Sequence, residues 1–137
     1  MYYLTRTYTF SAGHRLHSEA LSEEENRRVF GKCNNPTGHG HNYTLEVTVR
    51  GQQDERTGTI GDVFKLDGIV EQHVLADYDH RFLNTDVPEF ARLVPTSEHM
   101  VQAIWRRLAP HLERPQLYRV RLWETARSAF EYYGEEN

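Results

Sequence analysis

The run Asn42-Tyr43-Thr44-Leu45-Glu46-Val47-Thr48-Val49 limits the fold most strongly, because it alternates apolar and polar side chains without a break. Tyr43, Leu45, Val47 and Val49 share one face; Thr44, Glu46 and Thr48 take the other. A period of two residues belongs to a half-buried β-strand. Carried back along the chain, the same parity puts His39 and His41 of Gly38-His39-Gly40-His41 on the face of Tyr43 and Leu45. Two imidazoles at i and i+2 can approach one ion, and the glycines let the backbone come close to a bound group. His14, at the end of the strand-like stretch before Arg15-Leu16-His17, could supply a third nitrogen. Three protein ligands with an open fourth position is the arrangement of a catalytic zinc rather than a structural one. Spacing alone also leaves room for ordinary surface or core histidines, since pairs two apart arise by chance among eight.

The rest of the chain divides readily. Tyr2 to Phe10, rich in Tyr and Thr, predicts a first strand. Ser18 to Gly31 reads as a loop with a short helix at most, its charge runs a solvated surface. Lys32 to Gly38 is turn-forming. The second strand covers about His39 to Arg50, a turn follows at Gly51 to Gly58, and Thr59-Ile60 extends a short strand. Asp62 is a suitable N-cap for a helix from Val63 to about Ala76, with Val63, Leu66, Ile69, Val70 and Val74 as its stripe and Gly68 as its weak point. Asp77 to Asn84 reads as a connecting loop. Pro95-Thr96-Ser97 starts a second helix carrying Met100, Val101, Ile104, Trp105 and Leu108, and Pro110 ends it. Tyr118, Val120 and Leu122 alternate with Arg119 and Arg121, and a last strand covers about Arg127 to Tyr133.

The order strand, strand, helix, helix, strand, strand predicts an α+β sandwich: two hairpins in a four-stranded antiparallel sheet with two helices on one face. Its two exposed edges are a liability that oligomerisation into a barrel would remove. At 137 residues the chain is one domain, 1–137. Its net charge of -4, mixed along the sequence, gives no support for nucleic-acid binding. No run is apolar enough to span a bilayer and no signal-peptide core follows Met1, so no membrane association is expected. The lone cysteine, Cys33, cannot form an internal disulfide, which makes a cytoplasmic location the default.

Four further residues could carry chemistry. Cys33 lies in a polar turn beside Lys32 and close to the histidines; both neighbours would favour the thiolate, and a base, a nucleophile or a metal ligand are all open to it. Asp79-His80 pairs a carboxylate with an imidazole, though a loop Asp beside a surface His explains the spacing as well. Glu124 has the parity of Val120 and Leu122 and so faces the apolar side of the sheet. Either its carboxylate reaches water at the strand end, or it accepts the paired N–H donors of a cyclic guanidine-like edge. Glu98, in the first turn of the second helix, is explained by the helix dipole.

With these residues placed, nearly the whole chain resembles the 6-pyruvoyltetrahydropterin synthase family. The resemblance rests on Phe10-Ser11-Ala12-Gly13-His14-Arg15-Leu16, on Phe30 through Tyr43, on Asp79-His80 with Phe82-Leu83-Asn84, on Pro95-Thr96-Ser97-Glu98, and on Trp123-Glu124-Thr125. It implies the tunnelling fold (T-fold), in which three subunits close a twelve-stranded barrel and two trimers stack into a homohexamer with active sites between subunits. It implies that His14, His39 and His41 hold Zn2+, that Cys33 is the general base, and that Asp79 and His80 of a neighbouring subunit complete a proton-transfer triad. Glu124 would anchor a pterin ring, helped by backbone near Thr96. The implied reaction is a carbon–oxygen lyase step: 7,8-dihydroneopterin triphosphate loses triphosphate to give 6-pyruvoyltetrahydropterin. Lys32, Arg27 or Arg28 would meet the triphosphate on charge alone.

The chain departs from the family in two places. His99 stands where Asn is common, and Ala126-Arg127-Ser128-Ala129 replaces a run that often carries Asn. The nearest alternative is 6-carboxytetrahydropterin synthase of queuosine biosynthesis, which uses the same substrate and zinc but also releases acetaldehyde. The five residues between Cys33 and His39, including Asn34-Asn35-Pro36, favour the pyruvoyl type. A non-catalytic zinc or pterin-binding module would have no need of Cys33, Asp79 and His80.

Overall fold

The computed structural model describes residues 1–135. Strand β1 covers Tyr2–His14 and pairs antiparallel with β2, His39–Gly51, along its full length. The register sets Tyr2 opposite Gly51, Ala12 opposite His41 and His14 opposite His39. β1 therefore runs four residues beyond the expected Phe10, and that extension delivers His14 to the histidines of β2. Asp62 caps helix α2 by accepting from the N–H groups of Phe64 and Lys65. That helix covers Val63–Val70 and continues through a π turn, Glu71–Leu75, to a last α turn, Ala76–Tyr78. Gly68 sits on the open side, so it costs helix propensity but no packing. Helix α3, Ser97–Leu108, is capped by Thr96, whose hydroxyl accepts from the His99 N–H. Strands β4, Gln116–Thr125, and β5, Ser128–Tyr132, complete the chain.

The apolar face of β2 forms the floor of the core. Tyr43, Leu45, Val47 and Val49 are fully buried, and Leu66, Val70 and Val74 of α2 with Met100, Ile104 and Leu108 of α3 close over them. Each such side chain contributes about 1.5–3 kcal/mol by leaving water, so the sheet face and the two helices stabilise the fold jointly.

The structure corrects several expectations. The sheet has five strands, not four, in the order β3-β1-β2-β4-β5. The added strand is Arg81–Phe82, from the stretch read as a connecting loop, and it pairs parallel with Ala12 and Gly13 on the outer side of β1. Two residues are too few to show a period. A third substantial helix, α1, covers Glu23–Phe30 in the segment read as mostly loop; Ser22 and Glu25 cap it reciprocally. The turn-like Lys32 region contains a 3-10 helix, Gly31–Asn34. Thr59-Ile60 is not a strand. Leu117, not Tyr118, joins the core, because the pairing of β2 with β4 slips where Val49 meets Leu117 and Tyr118 is the extra residue. Tyr118 packs instead against Tyr3 and beneath the Arg50 guanidinium.

Candidate functional site

The register of β1 and β2 assembles three imidazoles. The ring centroids of His14, His39 and His41 lie 4.7–5.1 Å apart, and one potential ligand atom from each falls within 4.8 Å of the others. Gly38 makes the entry to β2 possible. Its φ is +76°, and a Cβ there would stand 2.7 Å from the Phe82 ring and 3.0 Å from the His14 carbonyl oxygen. His14 is fully buried, and its Nδ1–H donates to the Pro95 carbonyl at 2.9 Å. That bond fixes the tautomer and leaves the Nε2 lone pair free. Among the described residues, His14 Nε2 and His39 Nδ1 are buried without a partner. Nε2 of His39 and Nε2 of His41 face each other at 2.9 Å.

One shared proton would satisfy the His39–His41 pair but leave His14 Nε2 orphaned, and such groups are rare in native interiors. A cation answers all three rings. Nitrogens of a tetrahedral zinc site stand about 2.0–2.1 Å from the metal, hence roughly 3.3 Å from one another; the His39–His41 pair stands at 2.9 Å, and the three ligand atoms all lie within 4.8 Å. Burial pushes the His14 and His41 pKa values down, the latter against the field of Glu124, which keeps the rings neutral and able to ligate. The donor set therefore fits a zinc ion.

Glu124 stands beside this cluster, with Oε1 3.9 Å from His41 Nε2. β4 bulges at Glu124 relative to β5, which turns the carboxylate toward the start of α3. There Ser97, almost fully buried, donates its hydroxyl to Oε2 at 2.6 Å. A carboxylate offers about four lone-pair sites, so most of its accepting capacity stays open. Thr96 acts as the cap of α3: its N–H goes to the Val94 carbonyl and its own carbonyl accepts from Met100. His99, one of the departures from the family pattern, donates its ring Nδ1–H to the same Val94 carbonyl at 2.7 Å. The other departure forms the β4–β5 turn.

Cys33 is held in the 3-10 helix, where its carbonyl accepts from the Leu16 N–H at 2.8 Å. Its thiol is half-buried. Protein groups alone do not favour the thiolate, contrary to expectation: burial first, and then the charge of Glu124, push the thiol upward. Asp79 and His80 do form a pair, Oδ1 to Nδ1 at 2.9 Å. Asp79 also accepts from the Ser11 N–H, the chief reason its carboxyl lies below the usual range, and His80 donates its backbone N–H to the Ser11 carbonyl. His80 adopts φ +60°, uncommon outside glycine. The pair stands on the outer edge of the sheet, with the His80 side chain 81% exposed. Among the described residues, nothing in the same chain joins it to Cys33.

The chain thus brings together His14, His39, His41 and Glu124, with Cys33 close enough to feel the Glu124 charge, and sets Asp79-His80 apart. Sequence reasoning missed the role of Ser97. Its place next to Thr96 was visible, but the 27 residues to Glu124 carry no spacing signal. Arg27 and Lys32 line a cavity of about 870 Å³ beside His39, whereas Arg28 does not.

The chain matches the family described as 6-pyruvoyl tetrahydropterin synthase over residues 3–135. It is 47% identical over 133 residues to a 6-pyruvoyl tetrahydrobiopterin synthase of Poecilia reticulata, covering 97% of this chain and 90% of the relative. The human protein of that name is 44% identical over 132 residues, with 96% and 91% covered. The solved structure of Caenorhabditis elegans 6-pyruvoyl tetrahydropterin synthase superposes with a TM-score of 0.93 at 42% identity, over 98% of this chain and 96% of that one.

Proposed function

The chain belongs to the 6-pyruvoyl tetrahydropterin synthase family, and on that footing we propose that it converts 7,8-dihydroneopterin triphosphate to 6-pyruvoyltetrahydropterin and free triphosphate. The observation that carries this reading is the cluster of three imidazoles with an orphaned buried nitrogen, set beside an anchored carboxylate. Held by His14, His39 and His41, a zinc ion would supply a Lewis acid toward the oxygens of the substrate side chain.

Glu124 takes the guanidine-like edge of the pterin through the lone pairs that Ser97 leaves free. That contact also prepares the base. The Glu124 charge helps hold the Cys33 thiol up, and two N–H donors on the carboxylate lessen its field at the thiol. Cys33 then accepts a proton from a side-chain carbon of the substrate. Asp79 and His80, exposed on the edge of one chain, reach the cleft of another. In this reading the long strands β1, β2, β4 and β5 of three chains close a twelve-stranded barrel, and two such rings form a hexamer. No helix among the described residues is long and apolar enough to cross a membrane, and we place the protein in the cytosol.

Chromatography of the products formed from 7,8-dihydroneopterin triphosphate tests the proposal, with elemental analysis of the purified protein alongside. The expected outcome is 6-pyruvoyltetrahydropterin with stoichiometric zinc. Acetaldehyde with a 6-carboxy pterin would transfer the chain to the carboxy type, and stoichiometric zinc without turnover would reduce it to a binding module.

A further inference from the structure

The geometry points to the cavity beside His39 as the seat of the substrate's phosphate chain, with Arg15, Arg27 and Lys32 as the residues that select a phosphorylated pterin. This rests on the substrate reading above. The cavity measures about 870 Å³, and His17, Asn35 and His39 also line it, with Glu23 as its acidic member.

The first argument is adjacency. Glu124 lies 3.9 Å from His41, and His39 lines the cavity, so ring anchor and cationic cavity both border the histidine cluster. The proposed substrate needs a ring site and a phosphate site that each adjoin the metal ligands holding its carbon side chain.

The second argument is charge. Arg6, Arg107, Arg119 and Arg121 each meet a carboxylate within 3.3 Å. Among the described residues no carboxylate forms an ion pair with Arg15, Arg27 or Lys32, although Glu23 shares their cavity. Three unpaired cations around an open volume suit a polyphosphate, whose oxygens a guanidinium can grip in pairs.

The third argument is that buried polar groups are committed to holding the walls. The Asn34 side chain donates to the Leu16 carbonyl at 2.7 Å and meets His17 Nδ1 at 3.1 Å, while the Asn34 backbone carbonyl accepts from Arg15 Nε at 3.2 Å. Asn26, fully buried in α1, exchanges bonds with the Ser18 backbone at 2.7 and 2.9 Å. These two asparagines fasten α1 and the 3-10 helix to the segment after β1, so the exposed Arg27 and Lys32 project from a fixed backbone frame. Arg28, one residue from Arg27, lies outside the cavity and serves as the control.

The test is calorimetric titration of the purified full-length protein with inorganic tripolyphosphate, at several salt concentrations and with metal content checked before and after. Wild type and Arg28→Gln should bind alike, and Arg27→Gln and Lys32→Gln should each weaken binding roughly tenfold, the loss of one charge-assisted contact, with a shallower salt dependence. The KM for 7,8-dihydroneopterin triphosphate should rise in step, while the affinity for unphosphorylated dihydroneopterin stays unchanged. Equal tripolyphosphate affinity in all four proteins, or none in wild type, overturns the assignment. Tripolyphosphate binding that depends on Arg27 and Lys32 in a protein without turnover would uphold the cavity and reject the proposed reaction.

Discussion

The polar clusters around Arg107 and around His14 are completed to different degrees. Around Arg107 the guanidinium grips both oxygens of Glu89, donates to Asp77 and to the His73 carbonyl, and lies over the Tyr78 ring at 5.2 Å. Its partners come from two separate segments, and the cluster ties α3 to the end of α2 and to the segment before α3. Around His14 the arrangement is unfinished: two ring nitrogens are buried without partners, and a carboxylate keeps lone pairs to spare. An unsatisfied buried polar atom costs about 1–3 kcal/mol, so a fold retains it where something else will occupy it. Buried loose ends occur elsewhere too, at the Tyr78 hydroxyl and Arg119 Nε; what sets the His14 cluster apart is that three imidazoles converge there.

The comparison breaks most easily at Cys33. Cys33→Ala should lower turnover by about 10²–10⁴-fold, the usual worth of a positioned base, while zinc content and melting temperature stay at wild-type values. Unchanged turnover, read by product chromatography, would take the base role from this thiol. Arg107→Leu should do the reverse. It leaves Glu89 and Asp77 without their cation and should cost about 2 kcal/mol in chemical denaturation, with turnover per folded molecule retained. A stable but inactive Arg107→Leu protein would erase the distinction between the clusters.

The smallest effect is a pH dependence. The Arg107 hydrogen bonds hold the Glu89 carboxyl below its usual range. The folded state therefore binds that proton less readily than the unfolded chain. The resulting stabilisation is present above the ordinary glutamate pKa of about 4.3 and disappears as pH falls through the lower folded value. The difference in melting temperature between wild type and Glu89→Gln should be greatest near neutrality and shrink in acid. A difference that stays constant down to pH 3 would show that the pair contributes through shape rather than charge.

What the sequence reveals about each cluster follows from how local its signals are. The alternation from Tyr43 to Val49 is a property of adjacent residues, and it located both the core floor and the side on which His39 and His41 stand. Parity likewise put Glu124 on the helix side. Asp62 and Thr96 announce helix starts because capping is settled within three residues. The Arg107 cluster was invisible, since its members are 18 and 30 residues away and any charged residue on a helix resembles a solvated one. Ser97 escaped notice for the same reason. Tyr118 misled because a bulge reverses parity, and a bulge depends on the partner strand. Strand β3 is too short for any pattern and exists through hydrogen bonds between Ser11 and the Asp79-His80 segment, a contact that only the folded chain makes.

That small strand has a consequence for assembly. Arg81 and Phe82 cover the outer side of β1 only at Ala12 and Gly13, and the Asp79-His80 segment occupies the backbone of Ser11. Among the described residues, the same border is bare of strand partners from Tyr2 to Phe10. A strand from a second molecule laid along it can slide only until it meets this stop. In the proposed ring the halting point would lie next to the His80 ring, and the length of the open border would act as a gauge, setting which part of a newcomer comes to rest against the imidazole.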